Sequence, residues 1–180
     1  MNPPDKSEVK ASYDDLGGEL YELRYREEQN RKYDAALLAA RPRGDGLALD
    51  DGCGTGMLLS RLDSPAVGLD LSPVLLGAAK ARLRADHHLV AGDAEHLPFR
   101  GDVFDAVYAM TLIQNVPNKR LAVAEMARVA KRRGRVLVTA LKAFFGGDFL
   151  PDLLEASGLM SAAEVGDAAT NDWIALAEKG

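Results

Sequence analysis

Cysteine is almost missing from this chain: 180 residues contain one, Cys53. A single thiol excludes an intrachain disulfide, and with the three histidines at 87, 88 and 96, far in sequence from Cys53, there is no Cys/His cluster spaced to hold zinc. A long apolar run is lacking too. Nothing approaches the roughly 20 residues that span a bilayer, and the N-terminus, MNPPDKSEVK, has no apolar signal-peptide core. No membrane association is expected, and the expected location is the cytoplasm. Positive charge is in deficit, with 22 Lys and Arg against 27 Asp and Glu and a net charge of −5. That balance argues against unaided nucleic-acid binding, which calls for a basic face. Repeats and low-complexity tracts are absent, and 47% hydrophobic residues beside 27% charged ones is the composition of a globular chain. The length suits one domain over 1–180 that buries roughly 70% of the surface its unfolded form exposes.

What is present is punctuated by glycine. Leu47-Ala48-Leu49-Asp50-Asp51 is an apolar run ending in acid, followed by Gly52, Gly54 and Gly56 at alternate positions and then by Met57-Leu58-Leu59, which opens a helical pattern. Strand, tight turn and helix are the expected order. Glycine at such a turn lets backbone double back and lets a ligand approach closely, and the helix that follows offers unpaired N–H groups. A dinucleotide-binding turn needs GxGxxG. Here the third glycine comes one residue early, giving GxGxG, and a nicotinamide-dependent oxidoreductase is disfavoured.

With Asp50 two residues before the first glycine, LALDDGCGTG resembles motif I of the class I S-adenosylmethionine (SAM)-dependent methyltransferases. The resemblance implies that Asp50 meets the methionine ammonium and that Gly52, Cys53 and Gly54 pass beneath the sugar and methionine. It spans about residues 12–178. Asp51 departs from it, standing where the family usually has an apolar residue; a buried unpaired carboxylate is costly, so Asp51 is expected to face the site or a polar partner.

The rest of the chain carries the same resemblance onward. Residues 1 to about 10 are expected to be a disordered lead-in. Tyr13 to Ala40 has helical periodicity interrupted by Gly17-Gly18, so two helices are expected. This tyrosine-rich segment resembles the N-terminal lid of many small methyltransferases, which places Tyr13 beside the cofactor and gives a lid over 1–42 on a core over 43–180. Ala66-Val67-Gly68-Leu69-Asp70 reads as a second strand whose terminal acid can accept both ribose hydroxyls, with Leu71 next to it. Ser72-Pro73 starts a helix as cap and first residue. After a third strand at His88-Leu89-Val90-Ala91, GDAEHLPF resembles the family segment that seats adenine, assigning Asp93 to the amino group and Ala94 to the ring. Phe104 to Met110 is the fourth strand, nearly continuous in apolar character as a central parallel strand should be. Met110 closes the cofactor site, while Thr111, Gln114 and Asn115 beyond it are the candidates for the acceptor side. Lys131-Arg132-Arg133-Gly134 reads as a turn between a helix and a fifth strand at Arg135–Ala140, its cations suiting a helix C-terminus. A helix near Phe149–Ser157 and strands at Leu159–Val165 and Trp173–Ala177 complete the pattern.

The resemblance implies a Rossmann-like α/β fold, a seven-stranded mixed sheet ordered 3-2-1-4-5-7-6 with strand 7 antiparallel and helices on both faces. It also implies methyl transfer from SAM to an acceptor, a small molecule or else a tRNA or protein, that the residues do not identify. The Asn-Pro-Pro-aromatic motif of amide-nitrogen and adenine methyltransferases is absent, and no general base or metal ligand stands out. Similarity to small archaeal methyltransferases brings in a small activator subunit as a partner. A noncatalytic SAM-binding scaffold or sensor is the alternative.

Overall fold

The computed structural model describes residues 5–42, 45–165 and 170–180; within its first helix the side chains of residues 13 and 15–28 lie outside the description. Tyr13 belongs to that group, so its predicted place beside the cofactor lies outside the described residues.

Helix α1 runs unbroken from Lys6 to Ala40, over 35 residues. Both expectations for this end of the chain are corrected. The lead-in is helical from Lys6, because the Asp5 carboxylate caps it by accepting from the backbone N–H groups of Ser7 and Glu8. Gly17-Gly18 does not divide the helix either. Two glycines cost only about 1 kcal/mol each in a helix interior, and the residues around them are mostly good helix formers.

Seven strands form one sheet in the order β3-β2-β1-β4-β5-β7-β6. They are β1 (Ala48–Asp51), β2 (Ala66–Asp70), β3 (His87–Ala91), β4 (Phe104–Ala109), β5 (Ala130–Leu141), β6 (Leu159–Glu164) and β7 (Asp172–Lys179). Strands β1 to β5 run parallel, and β7 enters antiparallel between β5 and β6. This is the expected order and the expected hand for strand 7. Side chains along the central strands alternate between two apolar layers. Leu49, Leu69, Val107, Val136 and Val138 pack with Val123 and Met126 of α3 (Lys119–Val129) and Leu150 and Leu154 of α4 (Phe149–Ala156). Ala48, Ala66, Ala106, Tyr108 and Leu137 pack instead with Tyr33, Ala36, Leu37 and Ala40 of α1 and with Leu76 of α2 (Pro73–Ala79). Both faces are therefore covered, which is why these strands read as apolar runs. The buried Tyr108 hydroxyl donates to the Ala40 carbonyl at 2.6 Å, fixing the end of α1 on the sheet.

Two local expectations fail for identifiable reasons. The stretch after the glycine turn makes only turns and a 3-10 helix, Leu59–Arg61, where a helix from Met57 is expected. Pro65 follows within a few residues and leaves no length for an α-helix. Lys131–Gly134 is part of β5 and not a turn before it: the β4–β5 register shifts between Phe104 and Ala106, and Arg133 takes φ 61°. Extra residues absorbed in this way are a β-bulge. Gly134 permits it, since a Cβ there would stand 2.7 Å from the Lys131 carbonyl oxygen and 3.0 Å from that of Phe104.

Candidate functional site

The carboxyl ends of β1, β2 and β4 open on one cleft. Gly52, Gly54 and Gly56 all adopt positive φ, at 82°, 52° and 76°, a region that costs residues with a side chain. The chain doubles back here, and the Gly52 and Cys53 N–H groups both donate to the Leu69 carbonyl at 2.8 and 2.9 Å. Gly54 N–H donates to Asp70 Oδ2 at 2.8 Å. The glycine turn is thus bonded to the neighbouring strand, with the Asp70 carboxylate at their junction. Asp70 also accepts from Ser72 N–H at 2.9 Å. Burial raises its pKa despite these backbone donors.

Gly68 lies beneath the turn, where a Cβ would come 2.6 Å from Leu59 Cδ1 and 2.8 Å from Cys53 Sγ. Such contacts force the turn upward. Gly68→Ala is expected to destabilise the fold by about 1–3 kcal/mol through overpacking, and thermal unfolding measures that loss.

Asp50 and Asp51 stand side by side at the floor, 1% and 0% exposed. Asp50 Oδ2 and both oxygens of Asp51 have no hydrogen-bond partner among the described residues. Burial, reinforced by the charge of Asp70, pushes Asp50 up to about 8. Asp51 is raised well above the ordinary carboxyl range by burial and then by Asp50, Asp70, Asp93 and Glu125. Both line the cleft, as expected for Asp51. The Cys53 thiol is buried, and desolvation drives its pKa upward, the reverse of what a nucleophile needs.

One cavity gathers Asp50, Gly52, Cys53, Gly54, Asp70 and Leu71 at the tips of β1 and β2, with Asp93 and Ala94 after β3 on one side and Met110, Thr111 and Asn115 after β4 on the other. Gln114 is not among its lining residues; its Nε2 donates to the Thr111 carbonyl at 2.6 Å, and Asn115 Nδ2 reaches the same oxygen at 3.2 Å. These two amides brace the loop after β4. Thr111 is held at φ 59°.

Sequence reasoning missed the groups that α1 brings. Lys6, placed in a supposedly disordered segment, bonds Asp93 Oδ2 at 2.6 Å and pairs with Glu95. Burial works to raise the Asp93 pKa, but the Lys6 and Glu95 N–H hydrogen bonds outweigh it and hold the group low. Asp14 accepts from the Ser72 hydroxyl at the cleft mouth. Lys32 is 2% exposed and pairs with Asp172 at 2.9 Å. A signal for Lys32 was available: positions 29, 32, 33, 36, 37 and 40 follow helical spacing, and Lys32 interrupts an otherwise buried stripe. Among the described residues no group of three or more His, Cys, Asp and Glu side chains is arranged to hold a metal ion, and no helix is long and apolar enough to cross a membrane.

A mixed sheet with this crossover order and a glycine turn flanked by acids at adjacent strand tips defines a Rossmann-like architecture. Residues 49–138 match the methyltransferase domain family, and the chain belongs to that family, the class I SAM-dependent methyltransferases. It is 40% identical over 114 residues to the demethylmenaquinone methyltransferase of Mycobacterium tuberculosis, a match covering 61% of this chain and 47% of that enzyme. The chain spans about half the length of the curated relatives it matches. Among solved structures, it superposes with a TM-score of 0.78 on the Haloferax volcanii complex of the Trm112 methyltransferase activator with a methyltransferase, at 15% identity, covering 92% of this chain and 96% of that one. A TehB-like SAM-dependent methyltransferase from Corynebacterium glutamicum gives a TM-score of 0.69 at 24% identity, covering 89% and 96%.

Proposed function

We propose that this protein transfers the methyl group of SAM to an acceptor bound beside Thr111. The observation that carries this reading is the pair of acids at neighbouring strand tips: Asp50, buried with an unpartnered oxygen facing the cleft, and Asp70, bonded to the glycine turn. An orphaned buried carboxyl oxygen calls for a cationic or hydrogen-bonding partner, and the ammonium of SAM fits that need. The remaining lone pairs of the Asp70 carboxyl oxygens, which already accept from Gly54 and Ser72, suit a ribose diol, while glycine at 52 and 54 puts no side chain on the turn itself. SAM supplies an activated methyl on its sulfonium. The residues of this chain bind, orient and exclude water, which is the greater part of the work when the leaving group is already activated. In this reading Asp93, with Ala94 beside it, takes the adenine, and Lys6 must share or yield that carboxylate. A single domain in the cytoplasm, with α1 as its lid, accords with this reading.

Isothermal titration with SAM and with S-adenosylhomocysteine tests the first half: micromolar binding with one site is expected, and no heat at either ligand ends the proposal. Radiolabelled SAM incubated with host extract, then fractionated into small molecules, protein and RNA, tests transfer. Label in no fraction despite tight binding would favour a SAM-binding scaffold. The activator in the Haloferax complex supports asking whether a small subunit co-purifies from the native host.

A further inference from the structure

We infer that Thr111, seated on the buried Lys32–Asp172 ion pair, selects the methyl acceptor, and that this acceptor presents an oxygen anion or an acidic hydroxyl, a phenol or an enol and not an amine. The inference rests on the methyl-transfer reading above and adds the substrate class. Its first support is backbone geometry. Thr111 lines the cleft at the end of β4 with φ 59°, a conformation that a β-branched residue adopts only under constraint. That constraint is visible: its N–H donates to Thr139 Oγ1 at 2.7 Å, and its carbonyl takes the Gln114 and Asn115 amides. The loop is built to aim this one side chain.

Hydrogen-bond polarity gives the second support. Lys32 Nζ, ion-paired with Asp172 Oδ2 at 2.9 Å, donates to Thr111 Oγ1 at 2.8 Å. A hydroxyl has one hydrogen and two lone pairs. With one lone pair taken by an ammonium, the hydroxyl keeps its proton and one lone pair for a ligand, and donation from a charged group makes the proton the stronger of the two. No described residue is bonded as acceptor of its proton. A phenolate or enolate oxygen has lone pairs to spare for this donor while its charge is delivered to the methyl. A neutral amine has a single lone pair, and a donor placed on it would tie up the electrons that must attack. Lys32 acts here through Thr111 and is a positioning residue.

The test uses the full chain loaded with S-adenosylhomocysteine and two chromophores of equal shape, 4-nitrophenol and 4-nitroaniline. The bound phenol is expected to ionise at least about one pH unit below the free phenol, equivalent to about tenfold tighter binding of the anion. The aniline is expected to bind at least tenfold more weakly than the phenolate. Thr111→Ser keeps the shift because the hydroxyl remains, and Thr111→Val abolishes it. An unshifted or upward-shifted phenol, no phenol binding, equal binding of the aniline, or a shift that survives Thr111→Val overturns the inference. The wild-type titration decides even where a variant fails to fold. Calorimetry separates the two readings: tight S-adenosylhomocysteine binding with no phenol shift sinks this inference alone, whereas no nucleoside binding sinks both.

Discussion

Asp50→Asn is expected to weaken SAM binding by about 2–5 kcal/mol, thirtyfold or more, the usual range for removing one partner of a buried charge pair. The same replacement should change the pH dependence. In the free protein Asp50 titrates at about 8, so near neutrality it is largely protonated and must release a proton to face an ammonium. Wild-type affinity should therefore rise with pH, by up to about tenfold per unit, and level off above about pH 8. Asp50→Asn should lose that slope. Stability of the free protein runs the opposite way. Between the ordinary carboxyl value and about 8 the folded state holds a proton that the unfolded state has released, so unfolding free energy falls as pH rises through this window. Asp51 and Asp70 are raised as well and add to the same fall. Asp50→Asn should reduce the slope without removing it, and calorimetric melting from pH 5.5 to 9, with and without S-adenosylhomocysteine, measures both halves. Equal affinities at pH 6 and 8 in the wild type would exclude Asp50 as the ammonium partner.

Lys32→Ala should cost about 3–5 kcal/mol of unfolding free energy, because it removes an ammonium from a buried carboxylate while leaving the carboxylate behind. Lys32 and Asp172 are 2% and 0% exposed at the side chain and come from opposite ends of the chain. Their pairing ties α1 to the first residue of β7. Replacing both by apolar residues of similar volume, as in Lys32→Met with Asp172→Leu, should recover much of the loss, since paired burial often contributes little net stability. Denaturant unfolding of Lys32→Met, Asp172→Leu and the double variant closes the cycle. A Lys32→Ala protein as stable as wild type would show that Asp172 is solvated in ways its burial does not suggest.

The centre of this fold was readable because local chemistry and tertiary role coincide there. Gly52, Gly54 and Gly56 mark a turn that only positive φ can make, Asp70 ends a strand whose apolar residues announce a central place, and Ser72-Pro73 is a helix start wherever it occurs. The strand order came from family resemblance, since register between distant segments leaves no trace in either segment alone. The periphery was harder. Helical periodicity cannot tell one helix with two glycines from two helices, because the difference is a couple of kcal/mol against long flanking runs. Lys131–Gly134 looked like a turn since basic residues followed by glycine commonly are one; pairing of Ala130 with Phe104 and of Arg135 with Ala106 brackets it and holds it in the strand. Gln114 and Asn115 were polar residues in the right loop, yet their amides hold its backbone. Lys6 could not have been assigned to Asp93, 87 positions away, by any local rule.

The continuity of α1 has a mechanical consequence. Lys6, near one end, holds Asp93, and Lys32, three-quarters of the way along, holds Thr111. At 1.5 Å per residue these anchors are about 39 Å apart along one rod. One helix thus carries contacts to two of the residues that line the cleft, and loss of α1 would remove both together.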